Sequence, residues 1–340
     1  MIEEENTKCC TPSAGDGSES AGRNCSTEIS GPDAVVGGNG NGTRETIAFA
    51  DSGSVDGMIR LDGGTFLMGT EDDDAWIEDG EGPIREVTVR PFYMDTTAVT
   101  NAQFEVFINA TKYATEAERF GWSFVFRSQL SKSKQRRFED TRTVMGLQWW
   151  YGIEGATWRK PEGPGSNIKK RRDHPVVHVS WNDATAYCAW AGKRMPREAE
   201  WEFAARGGFV QKRYPWGDDL TPFGKHRCNI WQGRFPEDDS AEDGFAGTAP
   251  VRSFRPNGYG FYNVSGNVWE WCGDWFSPSW HLTGDRENPS GPGLGERKVM
   301  KGGSYLCHKS YCNRYRVAAR TSNTPDSSTG NCGFRCAVDV

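Results

Sequence analysis

The chain has 340 residues and a formal net charge of −6, room for one large domain or two ordinary ones. So mild an acidic balance leaves no basic footprint for nucleic acid, and no run approaches the ~18 apolar residues of a membrane-spanning helix. The 41 Gly, 17 Pro and 14 Trp point to a loop-rich domain whose irregular core is filled by indoles.

Residues 1 to about 57 are mostly Gly, Ser, Thr, Asn, Asp and Glu. They carry too few large apolar groups to offset the entropy of ordering, so a disordered extension is expected, with Cys9, Cys10 and Cys25 in it. It opens Met1-Ile2-Glu3-Glu4-Glu5 and no apolar core follows, so no signal peptide is expected in this chain. One folded domain is expected over 58–340. Residues 58–69 read as two short strands around Gly63-Gly64, and 86–90 as an alternating strand. Thr100-Asn101-Ala102-Gln103 is a capping box, and Phe104, Phe107 and Ile108 recur at helical spacing, which predicts a helix to about Asn109. The charged stretch 127–145 reads as a helix or a surface excursion. Trp149, Trp150 and Trp158 are expected in a Gly/Pro-rich loop, filling the core or walling a ligand groove. The basic run 169–172 is followed by Asp173 and reads as a solvated loop.

Ser180 caps a helix predicted over 181–192, with Ala184, Tyr187, Cys188 and Ala191 as its apolar stripe and Gly192 past its end. Pro196 is expected to open a second helix, which carries Trp201 and Ala204 and stops at Gly207-Gly208. Beyond it periodicity fades into short strands and long loops. The Asn, Asp, Gly and aromatic content of 214–275 implies backbone held by something other than ladders, and hard cations collecting oxygen ligands would do this.

Several chemistries are absent. There is no Walker A or dinucleotide fingerprint, no nucleophile elbow and no His-Glu-x-x-His. His174 and His178 flank the strand-like Val176-Val177 and read as structural. Cys307 and Cys312 are five positions apart. That interval puts two side chains on opposite faces of a strand and about 140° apart on a helix, so the chain between them must turn if the sulfurs are to meet. Three readings stand side by side. One is a disulfide. Another is half of a zinc site, for which no second pair has finger-like spacing. The third is a soft-metal or redox site, where two thiolates suit Cu(I) and Lys309, Arg314 and Arg316 favour the thiolate. Two oxygen-rich clusters are candidate cation sites: Asn229-Ile230 with Asp243-Gly244-Phe245, and Asn263-Val264-Ser265-Gly266-Asn267-Val268-Trp269-Glu270. Ten cysteines and Asn-x-Ser/Thr triplets at Asn24, Asn41, Asn109 and Asn263 incline towards a secretory location.

From residue 58 to the C-terminus the chain resembles the formylglycine-generating (sulfatase-modifying) enzymes and is close to the animal form. The resemblance is carried by Met68-Gly69, His178-Val179-Ser180-Trp181-Asn182-Asp183, Gly192-Lys193-Arg194, Glu198-Ala199-Glu200-Trp201-Glu202, Pro215-Trp216-Gly217, Gly266-Asn267-Val268-Trp269-Glu270-Trp271, Gly302-Gly303-Ser304 and Gly333-Phe334-Arg335-Cys336. Cys307-His308-Lys309-Ser310-Tyr311-Cys312 is the discriminating segment, similar to the active-site pair of the true enzymes. The resemblance implies an α+β fold: a single compact domain related to the C-type lectin fold, low in regular structure, its long loops stabilised by calcium. It implies oxidation, with O2, of a cysteine in a Cys-x-Pro-x-Arg motif of newly made sulfatases to Cα-formylglycine. Cys307 and Cys312 would hold Cu(I), Ser304 would orient the reacting groups, and Trp269 would wall the oxygen pocket.

The same resemblance assigns two calcium ions, one to Asn229, Ile230, Asp243 and Phe245, the other to Asn263, Gly266, Val268 and Glu270. It makes Trp149, Tyr311, Arg316, Ser328 and Asn331 candidates for the peptide groove, and Cys188 and Cys336 a structural disulfide. Ala205 and Val317 stand where a second disulfide of animal forms is expected, and Trp122 where an acidic residue is. Cys228, Cys272 and Cys332 are additions, and a Cys228–Cys272 bridge is one expectation. Implied partners are unfolded sulfatase chains and, through the tail cysteines, thiol proteins of the endoplasmic reticulum. The implied location is the lumen of that compartment or outside the cell. The rival reading is a lectin-like binding module, a silent paralogue, which would lack the cysteine pair. An iron-dependent sulfoxide synthase would carry a histidine-rich module that this chain lacks.

Overall fold

The computed structural model describes residues 12–13, 53–137, 142–144 and 146–340. Local chemistry starts most elements where the sequence predicts. Strands β1 (Met58–Leu61) and β2 (Gly64–Met68) meet at Gly63, whose φ of 72° only glycine adopts freely. They are followed by β3 (Arg85–Val89) and β4 (Phe92–Asp95). Helix α1 (Asn101–Thr111) begins at the Thr100/Gln103 capping box, and the short α2 (Glu116–Phe120) at a Thr115/Glu118 box. Strand β5 (Trp122–Phe126) precedes the stretch 127–145, which holds a surface helix α3 (Lys132–Arg137) and the short strand β6 (Arg142–Val144), while residues 138–141 and 145 lie outside the described residues.

Strand β7 (Leu147–Glu154) corrects one expectation. Trp149 and Trp150 lie on a regular strand, not in a loop, because β7 pairs with β5 and β6 on either side. Helix α4 (Trp181–Trp190) is capped by Ser180 with Asp183. Helix α5 (Glu198–Arg206) starts later than Pro196 suggested: the Glu200 carboxylate accepts from the Arg197 N–H at 2.8 Å and fixes its first turn, and Gly207 ends it at φ 58°. The rest is loop punctuated by β8 (Gly233–Arg234), β9 (Asp238–Asp239), β10 (Trp269–Trp275), α6 (Trp280–Thr283), β11 (Lys298–Lys301), β12 (Arg320–Asn323), β13 (Cys332–Gly333) and β14 (Ala337–Asp339).

These strands form small separate sheets, β1-β4-β14, β2-β3, β5-β7-β6, β8-β9 and β12-β11-β10-β13. The result is one mixed α/β domain with little helix. The last sheet organises the site. Trp269 and Trp271 on one face of β10 enter a core shared with α1, α4 and Cys307, while Cys272 on the other face packs with α5 and β3. Strand alternation therefore sends neighbouring side chains of β10 into two different cores.

Two boundaries move. A Cβ at Gly53 would lie 2.3 Å from the Gly192 carbonyl, so the chain already packs on the end of α4 before residue 58. In the expected disordered extension, Pro12 and Ser13 are buried, and the Pro12 carbonyl accepts from Asn323 Nδ2 at 3.0 Å. Cys9, Cys10 and Cys25 lie outside the described residues.

Candidate active site

The segment between β11 and β12 turns as the five-residue interval required. Gly302 (φ 92°) and Gly303 (φ 71°) leave β11, and a Cβ on Gly303 would sit 3.0 Å from Tyr315 backbone. Backbone N–H groups of Cys307, Tyr311 and Cys312 then donate to Ser304, His308 and His308 carbonyls at 2.9, 2.9 and 2.7 Å. The two sulfurs meet 3.3 Å apart as thiols, at 0 % and 1 % residue exposure. The Ser304 N–H points at Cys307 Sγ (3.4 Å) and Arg314 Nη1 at Cys312 Sγ (4.0 Å). Donors aimed at both sulfurs suit thiolate ligands. Among the described residues no three His, Cys, Asp or Glu side chains converge on one point, so a metal here would rely on the two thiols alone.

Ser304 is fully buried, and its Oγ accepts from Asn331 Nδ2 (3.0 Å) and Leu306 N–H (3.3 Å). Its own proton remains to be donated. Trp269 is tied to the same place, its backbone N–H donating to the Asn331 carbonyl at 2.9 Å, while its buried indole N–H has no partner among the described residues. Ser328 bonds Ser123 (2.9 Å), whose hydroxyl also meets His178 Nδ1 (2.8 Å). His178 is fully buried on that hydroxyl, in the position of a structural histidine, and burial lowers its pKa to about 4. Trp149 and Tyr311 meet edge to face at 5.3 Å, and Phe235 stacks on Tyr311 at 4.6 Å. Phe235 was not singled out from sequence. Its only signal there is an aromatic residue before Pro236 in a polar stretch.

Arg316 does not face a groove. It is 1 % exposed and binds both oxygens of Glu81, at 2.6 and 2.9 Å, because a buried guanidinium must be matched by a carboxylate. Burial raises the Glu81 pKa, and Arg316 only partly opposes this. Trp122 packs edge to face on Phe124.

The turn hangs from α5. Lys301, the last residue of β11, is buried and donates to Glu202 Oε2 at 3.0 Å. Burial alone would raise the Glu202 pKa, but Lys301, Arg206 and the Gly69 N–H together hold it down to about 2. On the same helix Glu198 binds Arg320, Glu200 binds Arg194, and the Trp201 indole donates to Glu270.

The two oxygen-rich clusters differ. In the first, the Gln232 amide donates to both the Ile230 carbonyl and Asp243 Oδ2, standing where a cation would bridge them. Asn229 Oδ1 is buried without a donor among the described residues, and burial raises the Asp243 pKa despite Gln232 and the Phe245 N–H. In the second, Asn263 Oδ1 is likewise orphaned, but both oxygens of Glu270 are occupied by Arg335 at 2.6 and 2.7 Å. The Trp201 indole N–H donates to the same carboxylate at 2.7 Å.

Cys188 and Cys336 are brought together, 3.6 Å apart, as thiols. Burial and the neighbouring Cys188 push the Cys336 pKa up. The expected Cys228–Cys272 bridge is not formed. Both are free thiols, and β10 alternation puts Cys272 in the α5 core while Cys228 belongs to the other. Ala205 and Val317 are packed together in the α5 core. Cys332 is buried and receives the Thr329 hydroxyl at 2.9 Å.

Comparison with known proteins matches residues 43–340 to the sulfatase-modifying factor enzyme 1-like domain. A formylglycine-generating enzyme of Thermomonospora curvata is 60 % identical over 83 % of this chain and 93 % of its own length. That of Mus musculus is 56 % identical over 83 % and 75 %. An inactive Cα-formylglycine-generating enzyme 2 of Bos taurus is 48 % identical over 84 % and 89 %. Among solved structures, PvdO from Pseudomonas aeruginosa aligns with a TM-score of 0.57 at 25 % identity, over 83 % of this chain and 94 % of that one.

Proposed function

The chain belongs to the sulfatase-modifying factor enzyme family, and from that premise we propose that it is an active formylglycine-generating oxidase, converting the cysteine of a Cys-x-Pro-x-Arg segment in unfolded sulfatases to Cα-formylglycine. The observation that carries the reading is the cysteine pair: two buried thiols 3.3 Å apart with donors aimed at both sulfurs. A silent binding module would have no use for such a pair, so it weighs against the inactive-paralogue alternative.

The pair fits a resident Cu(I), which accepts two soft sulfur ligands and, when bound, supplies the electrons that activate O2. Cys307 and Cys312 would hold it, and their turn fixes both sulfurs before any substrate arrives. The Ser304 hydroxyl, oriented by Asn331 and Leu306, donates towards the reacting sulfur. Trp269 keeps bulk water from the pocket, and its unpaired indole N–H offers a donor to a small polar guest. Trp149, Phe235 and Tyr311 form an apolar wall for the peptide. The substrate loses its thiol proton and one Cβ hydrogen, with two electrons, to become a thioaldehyde, which water hydrolyses to the aldehyde and hydrogen sulfide. Two electrons leave the substrate and O2 takes four, so an added thiol reductant supplies the other two.

We assign one structural calcium to Asn229, Ile230, Asp243 and Phe245, supported by the orphaned Asn229 oxygen and the bridging Gln232 amide. The cluster of Asn263, Gly266, Val268 and Glu270 supports a second ion less well, because Arg335 holds the Glu270 carboxylate. A Cys188–Cys336 disulfide needs only closure of two facing thiols and suits an oxidising compartment, the endoplasmic reticulum lumen or beyond. The exposed Asn109 triplet at the end of α1 agrees with that location, and tail cysteines would meet thiol partners there. The related C-type lectin architecture belongs to the same proposal.

The test is direct. The purified chain, loaded with Cu(I) and given a Cys-Thr-Pro-Ser-Arg peptide, a thiol and air, should yield a peptide aldehyde that reacts with a hydrazide. Copper bound with the peptide intact would sink the enzyme reading.

A further inference from the structure

Tyr214-Pro215-Trp216-Gly217 is a tight turn closed by two backbone bonds, from the Tyr214 N–H to the Gly217 carbonyl at 2.8 Å and from the Gly217 N–H to the Tyr214 carbonyl at 3.1 Å. Extended chain sends residues i and i+2 to one side. The phenol and the indole therefore stack, with ring centroids 5.5 Å apart and planes 14° from parallel. Pro215 between them has a fixed φ and no N–H to satisfy, which suits so short a turn. The Arg213 carbonyl accepts from the Val317 N–H at 3.0 Å, which lays the turn against the chain leaving the cysteine pair. Tyr214 thereby meets Tyr315, at 6.1 Å and 17°.

The inner end of this stack lies at the cysteine turn. A Cβ on Gly303 would sit 3.0 Å from the Tyr315 backbone, and the next N–H along, that of Ser304, points at Cys307 Sγ. Arg314, the residue before Tyr315, directs Nη1 at Cys312 Sγ. Burial, then the neighbouring Tyr214 and Cys307, raise the Tyr315 pKa, so its phenol stays neutral. Tyr214 is buried as well, and its oxygen accepts from Arg213 Nε at 3.2 Å. Trp216 is half-buried, and its indole N–H donates to the Asp219 carbonyl at 2.8 Å. The stack thus leads from the buried thiols to the surface through three side chains that each release one electron readily. The other stacked pairs among the described residues, Phe104–Tyr187, Trp181–Trp275 and Phe235–Tyr311, end after two rings, and two of them include a phenylalanine, which holds its electrons far more tightly.

We propose that Tyr315, Tyr214 and Trp216 form an electron relay between a soluble thiol at the protein surface and the site of Cys307 and Cys312. That role rests on the oxidase reading above, in which O2 takes four electrons and the substrate gives two. The pair is 0 % and 1 % exposed, and a bound peptide would cover it further, so a reductant has no direct approach. Through the relay two thiols become one disulfide, and their two electrons enter at Trp216 one at a time. Each electron refills a ring that has just passed one inward. A phenol proton leaves and returns with its electron, so no net proton moves along the stack. The two protons of the thiols, with the two protons and two electrons of the substrate, complete the reduction of O2 to two waters.

The test uses the metal-free full chain and hexachloroiridate(IV), a one-electron oxidant too bulky to enter a closed core. It runs the relay outward. The two facing thiols lose two electrons and two protons and close to a Cys307–Cys312 disulfide, while two iridium(IV) ions become iridium(III). Peptide mass mapping follows the disulfide. It should form about tenfold more slowly in Tyr214→Phe, which keeps the packing, an added barrier of ~1.4 kcal/mol. Trp216→Phe, which spares the core, should slow it likewise. Trp280→Phe, which removes an exposed indole elsewhere, should match wild type. An unchanged rate in Tyr214→Phe or, should that chain not fold, in Trp216→Phe would overturn the relay. The two readings fail separately. A slowed disulfide with no aldehyde from the copper-loaded wild type sinks the oxidase reading and keeps the relay. Aldehyde from wild type with equal disulfide rates does the reverse.

Discussion

Helix α5 and the cysteine turn are linked through Lys301 and Gly302-Gly303, yet their polar groups are arranged in opposite ways. On α5 each buried carboxylate is matched: Glu198 by Arg320, Glu200 by Arg194, Glu202 by Lys301 and Arg206. Around the turn two sulfurs face each other as thiols and the Trp269 indole N–H has no acceptor among the described residues. The difference teaches where specificity and reactivity are kept. A fully satisfied buried network is rigid, and removing any member exposes another to an uncompensated charge. Such a frame can hold an unsatisfied site open, because the site's own contacts are not needed to fix its shape.

The largest effect that would sharpen this contrast is on activity. Cys312→Ser should reduce aldehyde formation to background while changing unfolding free energy by only about 1 kcal/mol, a typical single hydrogen-bond contribution. A melting point lowered in step with activity would mean that the pair is structural. On α5 the pattern should invert. Glu202→Ala strands Lys301 and Arg206 and should cost ~3–5 kcal/mol in urea unfolding, with specific activity kept by the folded fraction.

Acid should discriminate the regions next. The Glu202 pKa is depressed to about 2 in the folded chain, so its contribution is fully present above the unfolded value near 4.5 and disappears as pH falls through 2. It amounts to ~3 kcal/mol. Wild type and Glu202→Gln, unfolded in urea from pH 6 to pH 2, should therefore converge at the acid end. Chelation probes a third region. Removing the calcium proposed at Asp243 should cost ~2–3 kcal/mol, the worth of a site held near a hundred times its Kd, and Asp243→Asn should abolish that sensitivity. The smallest effect should be at the groove wall, where Trp149→Ala raises KM for the peptide about tenfold, or ~1.4 kcal/mol, with kcat unchanged.

How much of this could be read from the sequence depended on the range of the interaction. The Thr100 and Ser180 caps were legible because each side chain bonds a backbone N–H three residues on, at Gln103 and Asp183. The need for a turn between Cys307 and Cys312 was legible from helix and strand geometry alone. Trp149 and Trp150 were read as loop because the nearby glycines and prolines mask a strand that its neighbours on both sides stabilise. Arg316 looked like a ligand contact because nothing local reveals its partner Glu81, 235 positions away.

By itself, then, the sequence determined the caps of α1 and α4, the family likeness and the need for a turn between Cys307 and Cys312. Tertiary structure alone decided that Arg316 is a buried strut, that β10 divides its side chains between two cores, that Arg335 takes the Glu270 carboxylate, and that Pro12 is seated on Asn323. The physical reason is that a cap or a turn is a bond between near neighbours, whereas the fate of a buried charge or a thiol depends on which distant group the fold brings against it.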